Sequence, residues 1–385
     1  MSFFSQFDAF HEQAIKATGL NDFGSADYVE PMKLLLSDYD KYSQFSPEGK
    51  QMTSALMVGP LVGRLLAQAG IKSHPEFASA AVKQPLIIIG MMRTGTTVLH
   101  RLISQDPENQ SLPFWLGSTP MPRPSRDTWE KNPWYQQTAQ WLDQLYQAYP
   151  NIKSLHPMLA DQPDECHLVV SQTFWSVPMA TTAIVPEYDE WCTSADVRFA
   201  YQYYRKVLGL IAGGSTKRWV LKDPSHLWGL DALLETFPDA CVVFTHRDIS
   251  KAMGSMASLT YQGRRIREPD IDLAQHIKLE FSLWGGALDK AEQVRRKRDP
   301  AQFFDVHINQ LQSDPMGTVE LIYRHFNLPL PKTSHQAMAQ YISIDPRGGH
   351  GTHHFKEEDF GFTAQEACAS TGSYYDRYVD LYGGN

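Results

Sequence analysis

Apolar residues recur along this chain in two rhythms, and the change between them divides it. In the first part they fall three and four apart, in Met32-Lys-Leu-Leu-Leu36 and in the run from Met52 to Ala69. That spacing places them on one face of a helix, and Gly70 then suits a helix stop. Residues 1–80 are therefore expected to form a helical cap. From Pro85 the rhythm shortens to compact runs: Leu86-Ile-Ile-Ile89, Trp219-Val-Leu221, Cys241-Val-Val-Phe-Thr245, and Phe303 to Ile308. Runs this short and this apolar predict strands buried on both faces. Leu230, Leu233, Leu234 and Phe237 give helical spacing between the second run and the third. Strands alternating with helices predict an α/β fold, a central parallel sheet with helices on both faces, over residues 81–385.

Between about 111 and 200 neither rhythm holds. The segment is rich in proline, tryptophan and tyrosine, and Pro113, Pro120, Pro122 and Pro124 forbid a regular helix across that stretch. It reads as an insertion into the α/β core.

Composition narrows the classes. Hydrophobic residues are 42% and charged residues 20% of the 385, the balance of a globular chain. A net charge of −8 excludes a general binder of nucleic acid or of membrane surfaces, which needs a basic face. Cys166, Cys192, Cys241 and Cys368 are far apart and make no C-x-x-C pair, which argues for reduced thiols and against a zinc cluster. The first residues lack the basic start and apolar run of a signal peptide. No stretch reads as the ~20 apolar residues of a membrane span. The expected location is cytoplasmic.

The candidate chemistry begins at Gly90-Met-Met-Arg-Thr-Gly-Thr-Thr97, between a strand and the apolar start of a helix. The spacing G-x-x-x-x-G before a hydroxyl residue is that of a phosphate-binding loop, and makes the fold P-loop-type. Glycines let successive N–H groups converge on an anion, and the helix N-terminus adds partial positive charge. A nucleotide triphosphatase needs lysine after the second glycine, whereas this chain has Thr96 there and carries its cation, Arg93, inside the loop. Such a loop suits a phosphosulfate better than Mg-ATP. The same spacing also serves a plain strand-turn-helix without ligand.

A second anion site follows the strand that ends at Thr245. His246-Arg-Asp248 comes next, and Ser255 stands eight residues beyond Arg247. An arginine at a strand's C-terminal edge points into the ligand crevice of an open α/β sheet. A guanidinium and a hydroxyl two helical turns apart suit a terminal phosphate.

Together the strand and loop from Pro85 to Thr97, the Arg247…Ser255 pair and the Lys222-Asp-Pro224 turn resemble the family of sulfotransferases that use 3′-phosphoadenosine 5′-phosphosulfate (PAPS). The resemblance is to the bacterial branch related to tyrosylprotein sulfotransferases. Phe303-Phe-Asp-Val-His-Ile-Asn-Gln-Leu311, Gly351-Thr-His-His-Phe355 and Glu358-Asp-Phe-Gly361 also resemble that branch, and the likeness spans roughly residues 30 to 380. It implies that Arg93, Thr94, Gly95, Thr96 and Thr97 hold the 5′-phosphosulfate and that Arg247 and Ser255 hold the 3′-phosphate. It implies a C-terminal segment, about 343–362, that closes over the nucleotide through Arg347-Gly-Gly-His350 or His353. It implies no metal.

Sulfuryl transfer needs a base for the acceptor hydroxyl and positive charge at the departing phosphate. In Lys222-Asp-Pro-Ser-His226 both Lys222 and His226 are expected over the cleft, with His226 as base and Lys222 or Arg93 stabilising the transferring group. Relatives in this branch often carry a glutamate in the segment matching Phe114-Trp-Leu-Gly117, where this chain has Leu116. Glu165, in the cluster His156…Asp161…Asp164-Glu165…His167, is the alternative base. Were 162–172 helical, Glu165 and His167 would point to different faces. The acceptor is expected to be a small, apolar or aromatic hydroxyl compound, in a pocket lined by Trp115, Trp129, Trp134, Phe174 and Trp175. A P-loop kinase and a non-catalytic nucleotide-binding protein remain the competing readings.

Overall fold

The computed structural model describes residues 2–150, 157–344 and 360–383. Its centre is a five-stranded sheet of β1 (Leu86–Ile89), β2 (Asn109–Ser111), β3 (Arg218–Lys222), β4 (Cys241–His246) and β5 (Phe303–His307). The strand order is β2-β3-β1-β4-β5, and every pairing is parallel. The predicted runs all became strands. β2 is an addition: its Asn-Gln-Ser composition has no apolar signal, and it is a strand because it pairs with β3 at the sheet edge.

Alternation along the strands splits the core in two. Leu86, Ile88, Val220 and Val243 join Leu99, Leu102 and Ile322 on one face; Ile87, Ile89, Leu221 and Phe244 join the larger core on the other. That larger core also takes in α1 (Phe7–Thr18), α2 (Val29–Lys41) and α3 (Pro47–Ser73), so the N-terminal helices share the apolar core of that face.

α3 corrects two readings of the sequence. It runs past Gly70, whose role is close packing: a Cβ there would stand 2.7 Å from Leu210 Cδ2. It is also, by length and composition, apolar enough to cross a bilayer, with a window hydropathy of 1.3. Its Arg64, however, is buried, 4.3 Å over the Tyr28 ring, and donates to the carbonyls of Phe23, Ser25 and Gln172. These bonds tie α3 to the 23–25 loop and to the inserted segment, as a buried charge requires.

Further helices include α4 (Thr96–Ile103), α5 (Pro133–Ala148), α6 (Arg198–Ala212), α7 (Ile249–Arg265), α8 (Leu273–Arg295), α9 (Pro315–His325), α10 (Lys332–Ile344) and α11 (Ser373–Tyr382). The connection from β1 leads through β2 to β3 on one side, and β4 lies on the other. A crevice therefore opens beyond the C-terminal ends of β1, β3 and β4, where such sheets place their ligands.

Candidate active site

The loop after β1 is shaped by its backbone. Gly90 has φ +139°, and a Cβ on it would meet Thr245 Oγ1 at 2.4 Å. Gly95, at φ +93°, is the residue from which α4 starts. Between them Arg93 adopts φ +71°, a left-handed conformation that costs a side-chain-bearing residue energy and is tolerated where the surroundings impose it. Thr94 Oγ1 lies 2.6 Å from Thr245 Oγ1 and donates to the Met91 carbonyl, which pins the loop to the end of β4.

That arrangement brings two cations together. Arg93 Nε donates to Ser255 Oγ at 3.3 Å, and Arg247 donates to the Arg93 carbonyl at 3.1 Å. The sequence pairing of Arg247 with Ser255 is thus mediated by Arg93 itself. Burial and then the neighbouring Arg247 charge push the Arg93 guanidinium down from its ordinary pKa. Burial does the same to Arg247. Among the described residues neither arginine forms an ion pair with a carboxylate. Two partly desolvated guanidiniums beside a helix N-terminus favour a polyanion.

On the other side of the loop, Lys222 at the end of β3 is 1% exposed. Its Nζ donates to Thr97 Oγ1 at 3.1 Å and to Glu165 Oε1 at 2.5 Å. Two backbone hydrogen bonds carry the Glu165 segment onto β3: Cys166 N–H to the Lys222 carbonyl at 3.0 Å, and His167 N–H to the Asp223 carboxylate. The helix His167–Val170 begins only after Glu165, so Glu165 and His167 face the same way. His167 Nδ1 lies 3.2 Å from Glu165 Oε2 and 3.5 Å from Asp223 Oδ2. Burial lowers the imidazole pKa, but the two carboxylates outweigh it and raise it to about 10. Burial likewise raises Asp223, and the His167 interaction more than reverses this, leaving its carboxyl below the usual range.

Ligand atoms of Glu165, His167 and Asp223 lie within 4.8 Å of one another. Of the Glu165 carboxylate, Oε1 is taken up by the Lys222 ammonium and Oε2 faces the His167 ring. The two positive partners already supply the charge that such a trio needs.

His226 does not take the position expected for it. The side chain is 1% exposed, its Nδ1 lies 2.9 Å from the Tyr201 hydroxyl, and it packs against the Tyr201 and Tyr204 rings. Burial pushes its pKa down to about 4. The 3-10 turn Pro224–Leu227 buries it against α6, and it is absent from the walls of the cavity described below.

Arg93, Thr96, Thr97, Glu165, His167 and Asp223 all border one cavity of about 640 Å³. Its other walls are more apolar than polar: Met52, Met158, Val177, Leu259, Ile266 and Trp284 stand among Gln262, Arg265, Arg267 and three threonines. The aromatic residues expected there are elsewhere. Trp115, Trp129, Phe174 and Trp175 are buried in the main core, and Trp134 packs against it. A larger groove of about 890 Å³ runs between α8 and Phe360–Phe362 and touches none of the loop residues. His156, Arg347–His350 and His353 fall outside the described residues, as does most of the expected closing segment.

His167 and Asp223 were not singled out by their spacing in the sequence. Asp223 was visible only within the Lys222-Asp-Pro turn, and His167 only as part of an acidic cluster. Their juxtaposition depends on β3 pairing across a long sequence separation.

The geometry thus joins an anion loop with two arginines, an ammonium, a carboxylate beside it and an apolar cavity. Comparison with known proteins agrees with that combination. Residues 85–332 match the model of the sulfotransferase family. The omega-hydroxy-beta-dihydromenaquinone-9 sulfotransferase Stf3 of Mycobacterium tuberculosis is 24% identical over 321 residues, covering 78% of this chain and 75% of that protein. The crystal structure of sulfotransferase STF1 from Mycobacterium tuberculosis H37Rv superposes with a TM-score of 0.87 at 38% identity, over 95% of this chain and 98% of that one. Sulfotransferase STF9 from Mycobacterium avium gives a TM-score of 0.88 at 26% identity, covering 97% and 96%. The strand-loop-helix, the parallel sheet and nearly the whole length are shared, and the chain belongs to the sulfotransferase family, as an enzyme of that family rather than a nucleotide kinase or a non-catalytic nucleotide-binding protein.

Proposed function

We propose that the enzyme takes its sulfuryl group from PAPS and delivers it to a hydroxyl on an apolar, lipid-like acceptor. The observation that carries this reading is the convergence of Arg93, Arg247 and Ser255 at one end of the loop, with Lys222 and Glu165 at the other. In this reading the Arg247 guanidinium and the Ser255 hydroxyl hold the 3′-phosphate. Backbone N–H groups from Thr94 to Thr97, with Arg93, hold the 5′-phosphosulfate at the start of α4.

The acceptor oxygen attacks sulfur in line with the bridging oxygen. The new O–S bond forms as the S–O bond to the donor phosphate breaks, and the hydroxyl proton passes to Glu165. The products are a sulfate monoester and 3′-phosphoadenosine 5′-phosphate. Lys222 and Arg93 stabilise the charge that appears on the departing phosphate. Glu165 replaces His226 as the proposed base because it borders the cavity and His226 does not.

The acceptor class is supported by the methionine-rich apolar wall and by a relative whose name describes a hydroxylated dihydromenaquinone. Incubation with PAPS and a series of long-chain ω-hydroxylated compounds, read by mass spectrometry, tests it. Sulfate esters of the apolar alcohols are expected; esters of hydrophilic sugars alone would reverse the acceptor assignment.

A further inference from the structure

The cleft contains an imidazole that the transfer described above does not use. His167 is about a quarter exposed, borders the cavity, and presents Nδ1 to Glu165 and Asp223 together. The carboxylate of Asp223 is fixed from below, accepting from the backbone N–H groups of His167 and Ser225. It therefore cannot follow the ring if the ring moves. The Glu165 carboxylate is drawn toward Lys222 through one oxygen and toward His167 through the other.

We propose that His167 is a positioning residue for the transfer: braced on Asp223, it holds the Glu165 carboxylate ionised and fixes its orientation beside Lys222. This rests on the reading of Glu165 as the base. A carboxylate between an ammonium and an imidazolium loses its proton more readily, because both neighbours favour the charged form. The brace also solves a geometric problem. Glu165 precedes the helix that begins at His167, so no helical turn of its own limits its rotamer. The reactive oxygen must nevertheless stay within hydrogen-bond reach of the acceptor hydroxyl.

Among the described residues, the charged and titratable groups around the ring begin with Asp164, which accepts from the Glu165 N–H. Glu165 and Cys166 share its segment, and Lys222, Asp223 and His226 come from β3 and the turn after it. Tyr201 and Tyr204 face this corner from α6, and Arg93 stands across the cavity. Arg64 of α3 is engaged with Gln172 at the far end of the same segment. The neighbouring helix Phe114–Ser118 contributes no titratable side chain. Among the described residues, the carboxylates within ion-pair distance of Nδ1 are those of Glu165 and Asp223.

The test is the pH profile of kcat in the full-length enzyme, with His167→Asn, His167→Gln, His167→Lys and Glu165→Gln. Loss of the imidazolium should move the acid limb of kcat upward by about one to two pH units, because Glu165 then protonates more easily. His167→Lys, which keeps the charge, should restore the limb to near its original position. Nucleotide affinity should not change in any of them. A uniform fall in kcat with an unmoved acid limb would overturn the positioning role while leaving Glu165 as base. Full activity in Glu165→Gln would instead overturn the reading of the base on which it rests. An NMR titration of the histidine ring protons of the wild-type enzyme needs no folded variant for its readout. A His167 ring still protonated above pH 8 is expected, and a ring already neutral at pH 7 contradicts the proposal.

Discussion

Lys222 Nζ lies 2.5 Å from Glu165 Oε1, joining the end of β3 to a segment 57 residues earlier in the chain. The pair puts the proposed base and the cation for the leaving phosphate in one place. Glu165→Gln should lower transfer by roughly 10²–10⁴ with nucleotide affinity near normal. Lys222→Ala should lower both transfer and nucleotide affinity. Steady-state kinetics alongside nucleotide titration separates the two. Loss of nucleotide binding in Glu165→Gln would mean that the carboxylate serves the loop and not the acceptor.

The parallel sheet was legible because β1, β3 and β4 are apolar runs too short for helices and too uniform for surface strands, while β5 keeps apolar Phe303, Phe304 and Val306 around Asp305. The anion loop was legible because its glycines and Arg93 are close together in the sequence. What the sequence withheld depends on long-range placement. Lys222 and His226 are four residues apart and looked equivalent, but the 3-10 turn sends one to the cleft and the other behind Tyr201. Glu165 and His167 looked divergent under a helical assumption, and they converge because the helix starts two residues later. The tryptophans of the inserted segment looked like a pocket and became core, since aromatic composition alone does not distinguish the two.

The buried histidine gives a prediction for stability. His226 is held neutral, with a pKa lowered from 6.5 to about 4 by burial. A base whose folded pKa is depressed contributes its full stability above the unfolded value, and loses it as pH falls from about 6.5 towards about 4. A depression of that size corresponds to about 3 kcal/mol between the two limits. His226→Gln should therefore unfold with a flatter pH dependence across this window than the wild type. Denaturant melts at several pH values measure it. Parallel curves for the two proteins would show that His226 already titrates normally in the folded state. Its loss should not move the acid limb of catalysis.

The cavity walls predict acceptor effects separable from donor effects. Leu259 borders the apolar side of the cavity. Leu259→Ala should reduce kcat/KM for long apolar alcohols by about tenfold or more, the equivalent of one to three kcal/mol of lost contact. Nucleotide affinity should be unchanged. An equal loss for a short, polar alcohol would point to a general disturbance of the site.

Ligand-induced stabilisation addresses the metal question. 3′-Phosphoadenosine 5′-phosphate at about 100 times its Kd should stabilise the fold by about 2.7 kcal/mol, a shift of a few degrees in Tm. The shift should persist in EDTA, because arginines and an ammonium take the part of a cation. Mg-ATP should shift Tm much less. Abolition of the shift by EDTA would show that a metal bridges Glu165, His167 and Asp223 to the nucleotide.

The central claim is a donor site that reads the 3′-phosphate through Arg247, and calorimetric titration with two nucleotides tests it most directly. Wild-type enzyme and Arg247→Ala are each titrated with 3′-phosphoadenosine 5′-phosphate and with adenosine 5′-phosphosulfate, which lacks the 3′-phosphate. A charge-assisted hydrogen bond to a partly desolvated phosphate contributes about 1.5–3 kcal/mol, hence roughly one to two decades of affinity. Arg247→Ala should weaken the first nucleotide by that amount and leave the second nearly unchanged, with Ser255→Ala acting in the same direction more mildly. Equal losses for both nucleotides would contradict the account, since Arg247 would then be supporting the Arg93 loop and not recognising the phosphate.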